Sequence, residues 1–346
     1  MSSSVDRRTQ AGFSLLEMVV SMGIMLIVTA SVLTLAKDAF KVSFTAYELT
    51  DAQESVRTAH EYISRDLLTA GDGMKNINNI CLAANFVSNY LTKNPANNPC
   101  GAGLVNLPLV HSDNNVPAGT TVLGIAPTVS VRSTPTATDR LTLLQLDSTF
   151  TPVTPTAVTP SGANISVAAS DLSKFAPGEI YFILSSTGAT FGTVTNKAGG
   201  NIIFAASDAL GLNAPGNGGP INLVSAGGTL PISIRRMRII NYFVDQNGLL
   251  TRRTFGISGG VGYSDSIIAD HITNLQIRYV LGADEDGNNQ QPVAQLTVDQ
   301  QEAVRQVEVS VTVETVHAVN KGKTQPVTMT TTTSVRNLQF LEALQP

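Results

Sequence analysis

Gly12-Phe13-Ser14-Leu15-Leu16-Glu17 opens the stretch that decides the fold: Phe13 to Ala36 reads FSLLEMVVSMGIMLIVTASVLTLA. The run is long enough to cross the hydrocarbon core of a bilayer, which takes about 20 apolar residues. Ahead of it lies a short polar leader, MSSSVDRRTQAG, carrying Arg7 and Arg8. A secretory signal has a shorter apolar core, about 7–15 residues, and its small-residue cleavage site follows that core. Here the small pair Ala11-Gly12 precedes the run. An uncleaved signal anchor is the plain alternative, and Lys37 and Lys41 beyond the span leave its orientation undecided by basic residues alone.

Glu17 does not suit a simple anchor. A carboxylate inside an apolar span costs on the order of 3 kcal/mol, and such residues have a partner or a task. Cleavage after Gly12 would give Phe13 a new α-amine four residues from Glu17. That amine, on this chain or on a neighbour, would neutralise the carboxylate.

Gly12-Phe13-Ser14-Leu15-Leu16-Glu17 resembles the processing motif of type IV prepilins and of type II secretion pseudopilins. The resemblance implies cleavage between Gly12 and Phe13 by a membrane-embedded prepilin peptidase, followed by N-methylation of Phe13. It also implies an assembly role for Glu17. In the pseudopilus family the outermost tip subunit characteristically lacks this glutamate, so a chain that keeps Glu17 is expected just below the tip.

The helix is expected to run on beyond the membrane. Phe40, Phe44, Tyr47, Val56, Ala59, Ile63 and Leu67 fall close to a 3.6-residue period, with Asp51, Glu54, Arg57 and Arg65 for the opposite face. No proline occurs before Pro95, Gly23 is the only glycine between Phe13 and Ala70, and Gly71-Asp72-Gly73 is a natural stop. A helix over 13–70 would measure about 87 Å, its first half in lipid or against other helices and its second half against its own head. The division that follows is a leader at 1–12, a helix at 13–70 with its transmembrane part at about 13–36, and a β-rich head at 71–346.

Composition agrees with an extracytoplasmic β-rich head. Charged residues make up 14% of the chain, tryptophan is absent, and the net charge of −4 points to neither nucleic acid nor an acidic ligand. Cys81 and Cys100 are the whole thiol inventory. Their proximity favours one small-loop disulfide in an oxidising compartment, worth about 3 kcal/mol on the chain-entropy account. After an Asn-rich loop (Asn76 to Asn98), strand-like runs occupy Thr121–Ile125, Arg140–Leu146, Ile180–Leu184, Asn201–Phe204, Arg236–Val244, Ile272–Tyr279, Gln306–Val316 and Val327–Val335. Thr151 to Pro160, TPVTPTAVTP, reads as an extended connector or exposed loop, and Gly211 to Gly219 as a second loop.

The order of the downstream motifs is similar to that of PilW-type minor pilins and, more loosely, of the pseudopilin GspJ. It comprises Asp139-Arg140-Leu141-Thr142-Leu143, Phe175-Ala176-Pro177-Gly178-Glu179-Ile180-Tyr181, Asn241-Tyr242-Phe243-Val244, Leu250-Thr251-Arg252-Arg253, the run Ala269 to Tyr279, and a valine-rich strand from Val304 to Val313. The resemblance implies an α+β pilin fold, a long N-terminal helix carrying an antiparallel β-rich head. It implies a minor pilin at the initiation or near-tip end of a type IV pilus, with a secretion pseudopilin or a tip adhesin as alternatives. The implied partners are other minor pilins, the major pilin, the prepilin peptidase/methyltransferase and the inner-membrane assembly platform. The head would face the periplasm and then the pilus or cell surface.

Other candidate chemistry is weaker. Gly256-Ile257-Ser258-Gly259-Gly260 fits G-x-S-x-G, but a nucleophile elbow needs a helix after it, and Val261 to Asp265 does not open one. Lys321-Gly322-Lys323-Thr324 lacks the upstream glycine of a phosphate loop, having His317 there. Asp284, Asp286 and Asn288 match alternate calcium-loop ligands, but Asn289 and Gln295 stand where an EF-hand wants glycine and glutamate. A hairpin turn at Asp286-Gly287 accounts for them more simply. His60, His111, His271 and His317 show no ligand spacing, with His271 in a strand-like stretch and His317 near a strand end. No catalytic residue, metal or cofactor is therefore expected.

Overall fold

The computed structural model describes residues 14–72, 74, 80–92, 103–116, 121–122, 129–130, 137–159, 162–186, 188–213, 230–259, 261–282, 291–296, 300, 303–319 and 322–335. A long helix, α1 (Leu15–Thr69), carries a β-rich head. Ser14 caps α1: its backbone is extended and its Oγ accepts the N–H of Leu16 at 3.2 Å. The chain leaves α1 at Gly71, whose φ of 73° suits glycine, and its N–H donates to the carbonyl of Leu144 at 2.8 Å.

The head begins with β1 (Cys81–Ala83), a helical turn (Ala84–Phe86) that continues as a π turn (Val87–Leu91), β2 (Leu104–Asn106) and β3 (Val110–Val116). Next come β4 (Thr121–Val122), β5 (Val129–Ser130), β6 (Thr138–Leu146), β7 (Ala157–Val158), β8 (Asn164–Ser166), β9 (Ile180–Ser185) and β10 (Gly188–Thr193). β11 (Asn196–Ala198), β12 (Asn201–Ile203), β13 (Ser233–Val244), β14 (Leu250–Phe255), β15 (Tyr263–Ala269), β16 (Ile272–Leu281), β17 (Val304–Glu314) and β18 (Pro326–Ser334) complete the order.

The main sheet has nine strands, in the order β15-β14-β13-β9-β10-β1-β2, with β6 joined to β13 and β3 to β6. Its pairings are antiparallel apart from β1 with β10. β13 is the axis. Met237 pairs with Leu146 of β6 and with Ile180 of β9, so those strands lie on opposite edges. Ile239 to Tyr242 pair with both β6 and β14, so β9 and β14 share one edge end to end. Gly256 sits at that junction with φ 84°, and a Cβ there would lie 2.6 Å from the Met237 carbonyl oxygen. Only glycine permits that approach.

A separate sheet, β16-β17-β18, supports the helix. Val307, Val309, Val311 and Val313 alternate inward along β17, as the sequence pattern requires of a half-buried strand. Ala52, Val56, Ala59, Ile63 and Leu67 of α1 join them in one core with Leu275, Ile277 and Tyr279 of β16. A second core, including Phe150, Phe175, Tyr181, Phe204 and Ile234, lies between the main sheet and a four-stranded sheet β11-β12-β8-β7.

Three expectations need correction. Phe40, Phe44 and Tyr47 continue the apolar period, yet they are exposed, and burial on α1 starts at Glu48. Below that level the head meets only one edge of Phe44, through the His317 ring, and leaves Phe40 and Tyr47 uncovered among the described residues. His271 lies not in a strand but in the two-residue turn from β15 to β16, at φ 54°. The stretch read as an extended connector or exposed loop is, over its described residues 151–159, an engaged extended segment and not an exposed loop. Val153 bridges Ile234, and Ala157–Val158 pairs with β8 as an edge, where proline is tolerated.

Candidate assembly helix and its docking to the head

The first half of α1 touches nothing else among the described residues. Leu15 is 82% exposed and Leu35 is 72%, and the large apolar side chains between them are exposed as well. A bare apolar surface on this scale marks a membrane or protein contact. The segment is long and apolar enough to cross a membrane. Its hydroxyls are compatible with lipid because each is already satisfied. Ser21 donates to the Met18 carbonyl at 2.9 Å, Thr29 to Met25 at 2.7 Å, Ser31 to Ile27 at 2.9 Å and Thr34 to Ala30 at 2.9 Å.

Glu17 is the acid of the first turn and has no hydrogen bond or ion pair among the described residues. It stands three residues after the Ser14 cap, the spacing of a capping box, a local signal that the sequence reading missed. The helix dipole at this end also favours a carboxylate. Both effects are modest beside the cost of leaving the group unpaired in lipid. Gly12, Phe13 and Cys100 lie outside the described residues, as do Asp284, Asp286 and Asn288. Cys81 is buried at the start of β1.

The second half of α1 is fixed to the head by polar contacts flanking its apolar stripe. Asp66 is buried and accepts the Tyr242 hydroxyl and Arg252 Nε, both at 2.6 Å. Burial, then the Asp66 charge, push the Tyr242 hydroxyl far above its ordinary range. Glu48 accepts the His317 backbone N–H at 3.1 Å and bonds its Nδ1 at 2.9 Å. Those contacts hold the Glu48 carboxyl below the usual range, the backbone N–H contributing most. His60 Nε2 bonds the Met329 carbonyl at 2.9 Å, leaving Nδ1 buried without a partner among the described residues. Burial pushes the His60 pKa down, against the opposing pull of that carbonyl. Ser64 and Thr333 bond at 3.1 Å, and Ser55 donates to Asp270 at 3.3 Å. The helical period finds the apolar stripe, but nothing local to Glu48, His60 or Asp66 names its partner.

Within the head, Asp139 and Arg140 tie three strands together. Asp139 is buried and accepts the backbone N–H groups of Asn115 at 2.8 Å and Ile277 at 2.6 Å. Burial outweighs those bonds and raises its pKa. Arg140 Nε donates to Asp113 at 3.0 Å, and Asp113 also meets Thr92 and His111. Arg253 clasps Asp265 through two bonds of 2.7 Å, its guanidinium 4.2 Å from the Tyr263 ring centroid. Ser258 is exposed in a bend between β14 and β15, with no hydrogen bond to a histidine among the described residues. A strand, not a helix, follows it.

The prokaryotic N-terminal methylation motif is matched over residues 7–33. That span contains Arg7, Arg8, Glu17 and most of the exposed apolar helix. The motif supports a type IV pilin-like protein, and the long helix on an antiparallel β-rich head is the α+β arrangement of that class. The motif is a structural one, not an enzymatic one, and it fits a membrane-anchored chain that assembles with other pilins. No curated protein and no solved structure matches the chain.

Proposed function

We propose that the chain is a PilW-type minor pilin, cleaved between Gly12 and Phe13, N-methylated at Phe13, and incorporated at the initiating, near-tip end of a type IV pilus. The observation that carries this is Glu17, a carboxylate without a partner among the described residues, on a bare apolar helix half. Such a group is costly in lipid and becomes favourable when a neighbouring subunit brings a Phe13 amine to it. The partners are other minor pilins, the major pilin, the prepilin peptidase/methyltransferase and the inner-membrane assembly platform. The subunit spans the inner membrane once, with its head in the periplasm, before it enters the filament. A Cys81–Cys100 bridge closes the segment before β2. It is supported by the absence of free cysteines among the described residues.

The test compares wild type with Glu17→Val in the membrane and in complexes with partner minor pilins. Membrane levels should hold or rise, because a cost of about 3 kcal/mol in lipid is removed. Partner recovery should fall at least about tenfold, equivalent to 1.4 kcal/mol of lost contact. Equal recovery at equal expression would remove the assembly role. Mass spectrometry of assembled subunits should find N-methyl-Phe13 as the first residue, and Gly12→Ala should leave the leader attached.

A further inference from the structure

Between the bare span and the docked half of α1 lies a short neck with its own pattern. Lys37, Phe40, Lys41 and Phe44 follow the spacing i, i+3, i+4, i+7, so they form one stripe. Phe40 is 75% exposed and Phe44 46%. Asp38 turns to another face, and the next acid on the stripe, Glu48, is already held by His317. The Phe44 ring meets the His317 ring edge-on at 5.6 Å between centroids. His317 belongs to the loop after β17, which also exposes Val316 and carries Lys323, whose carbonyl accepts the Val319 N–H at 3.1 Å. The Glu48 bonds therefore fix that loop to the helix one turn above Phe44.

Phe40 falls within the headgroup layer of a bilayer, and Phe44 comes down to its outer edge. Counting from Ala36, Phe40 stands about 6 Å and Phe44 about 12 Å further along the helix axis. Helical side chains lean toward the N-terminus, which brings both rings lower. Each headgroup region is about 5–8 Å thick, and aromatic rings and lysines collect there. We propose that Lys37, Phe40, Lys41 and Phe44 form a collar in the phospholipid headgroup layer, on which the loop carrying Val316 and Lys323 rests. The head is thereby seated on the membrane until the subunit is extracted. This goes beyond assembly and rests on the membrane-anchored reading of α1.

The chain contains no tryptophan, so a single introduced one reports its own surroundings. Full-length Ile27→Trp, Phe40→Trp, Phe44→Trp, Val316→Trp and Leu68→Trp proteins are placed in phosphatidylethanolamine/phosphatidylglycerol vesicles. Separate vesicle sets carry bromine at mid-chain or nitroxide on the headgroup. Ile27→Trp should be quenched by the bromine. Phe40→Trp, Phe44→Trp and Val316→Trp should emit to the blue of Leu68→Trp and be quenched by the nitroxide at least about twofold more than it. Adding Lys37→Gln with Lys41→Gln should reduce quenching at Phe44→Trp. Water-like, unquenched emission at the neck and loop, with Ile27→Trp still quenched, would overturn the collar and leave the anchor intact. Blue-shifted but unquenched emission would place another protein against the stripe and overturn it too. Escape of Ile27→Trp from the bromine would overturn the anchor along with the collar.

Discussion

At the scale of single residues, the head is governed by charges that a linear reading treats as solvent-facing. Asp113 is the clearest case. Burial pushes its carboxyl up, but the hydrogen bond from His111, the charges of Arg140 and His111, and the Thr92 hydroxyl outweigh it and hold the pKa at about 2. The unfolded value is near 3.8. Since the folded value is the lower one, the unfolded chain takes up the proton first as pH falls. The stabilisation is therefore complete above about pH 4 and lost as pH falls through about 2, with a full size of about 2 kcal/mol. Acid titration of head stability should show that loss in wild type, and the Asp113→Asn chain should start less stable and have a flatter profile there. Glu17 illustrates the opposite limit. Its position in the sequence announced a task, because nothing within the apolar run could satisfy it.

At the scale of elements, alternation marked several strands, whereas buried charge or broad solvent exposure hid others. β17 and β16 were legible because valine, leucine and isoleucine alternate with polar residues along a half-buried face. β3 and β14 were not, because Ser112, Asp113, Arg252 and Arg253 occupy the places where apolar residues would have signalled a strand. β15 faces solvent along most of its length and presents no apolar period at all. The docking of α1 depends on one such hidden charge. Asp66→Ala would leave the Arg252 guanidinium and the Tyr242 hydroxyl without their carboxylate. Arg252 is 20% exposed at its side chain, so water softens the penalty, and a loss of about 2–3 kcal/mol is expected. Denaturant melts of Asp66→Ala and Asp66→Asn should show both, with the asparagine, which can still accept the tyrosine hydroxyl, the milder of the two.

At the scale of the whole molecule, α1 serves two environments in turn, and the boundary lies near Glu48, where burial by the head begins. A fragment 37–346 should therefore be soluble and keep the fold, because the described residues among those removed, 14–36, include no buried one. Its melting temperature should lie within about 2 °C of the full chain in detergent, since surface changes away from buried contacts stay within about 0.5 kcal/mol. A drop of about 10 °C would show that the apolar half supports the head. The class of the protein is written in local order and period, through the helix, its membrane-length apolar half, the carboxylate within it and the β-rich remainder. Where the head stops along α1, why Phe40 and Tyr47 stay uncovered while Phe44 meets only His317, and which distant groups meet Glu48, His60, Asp66 and Asp113 depend on how the chain folds back on itself. The physical reason is that periodicity records which face a residue takes, whereas coverage and charge pairing depend on chain segments up to 269 residues apart.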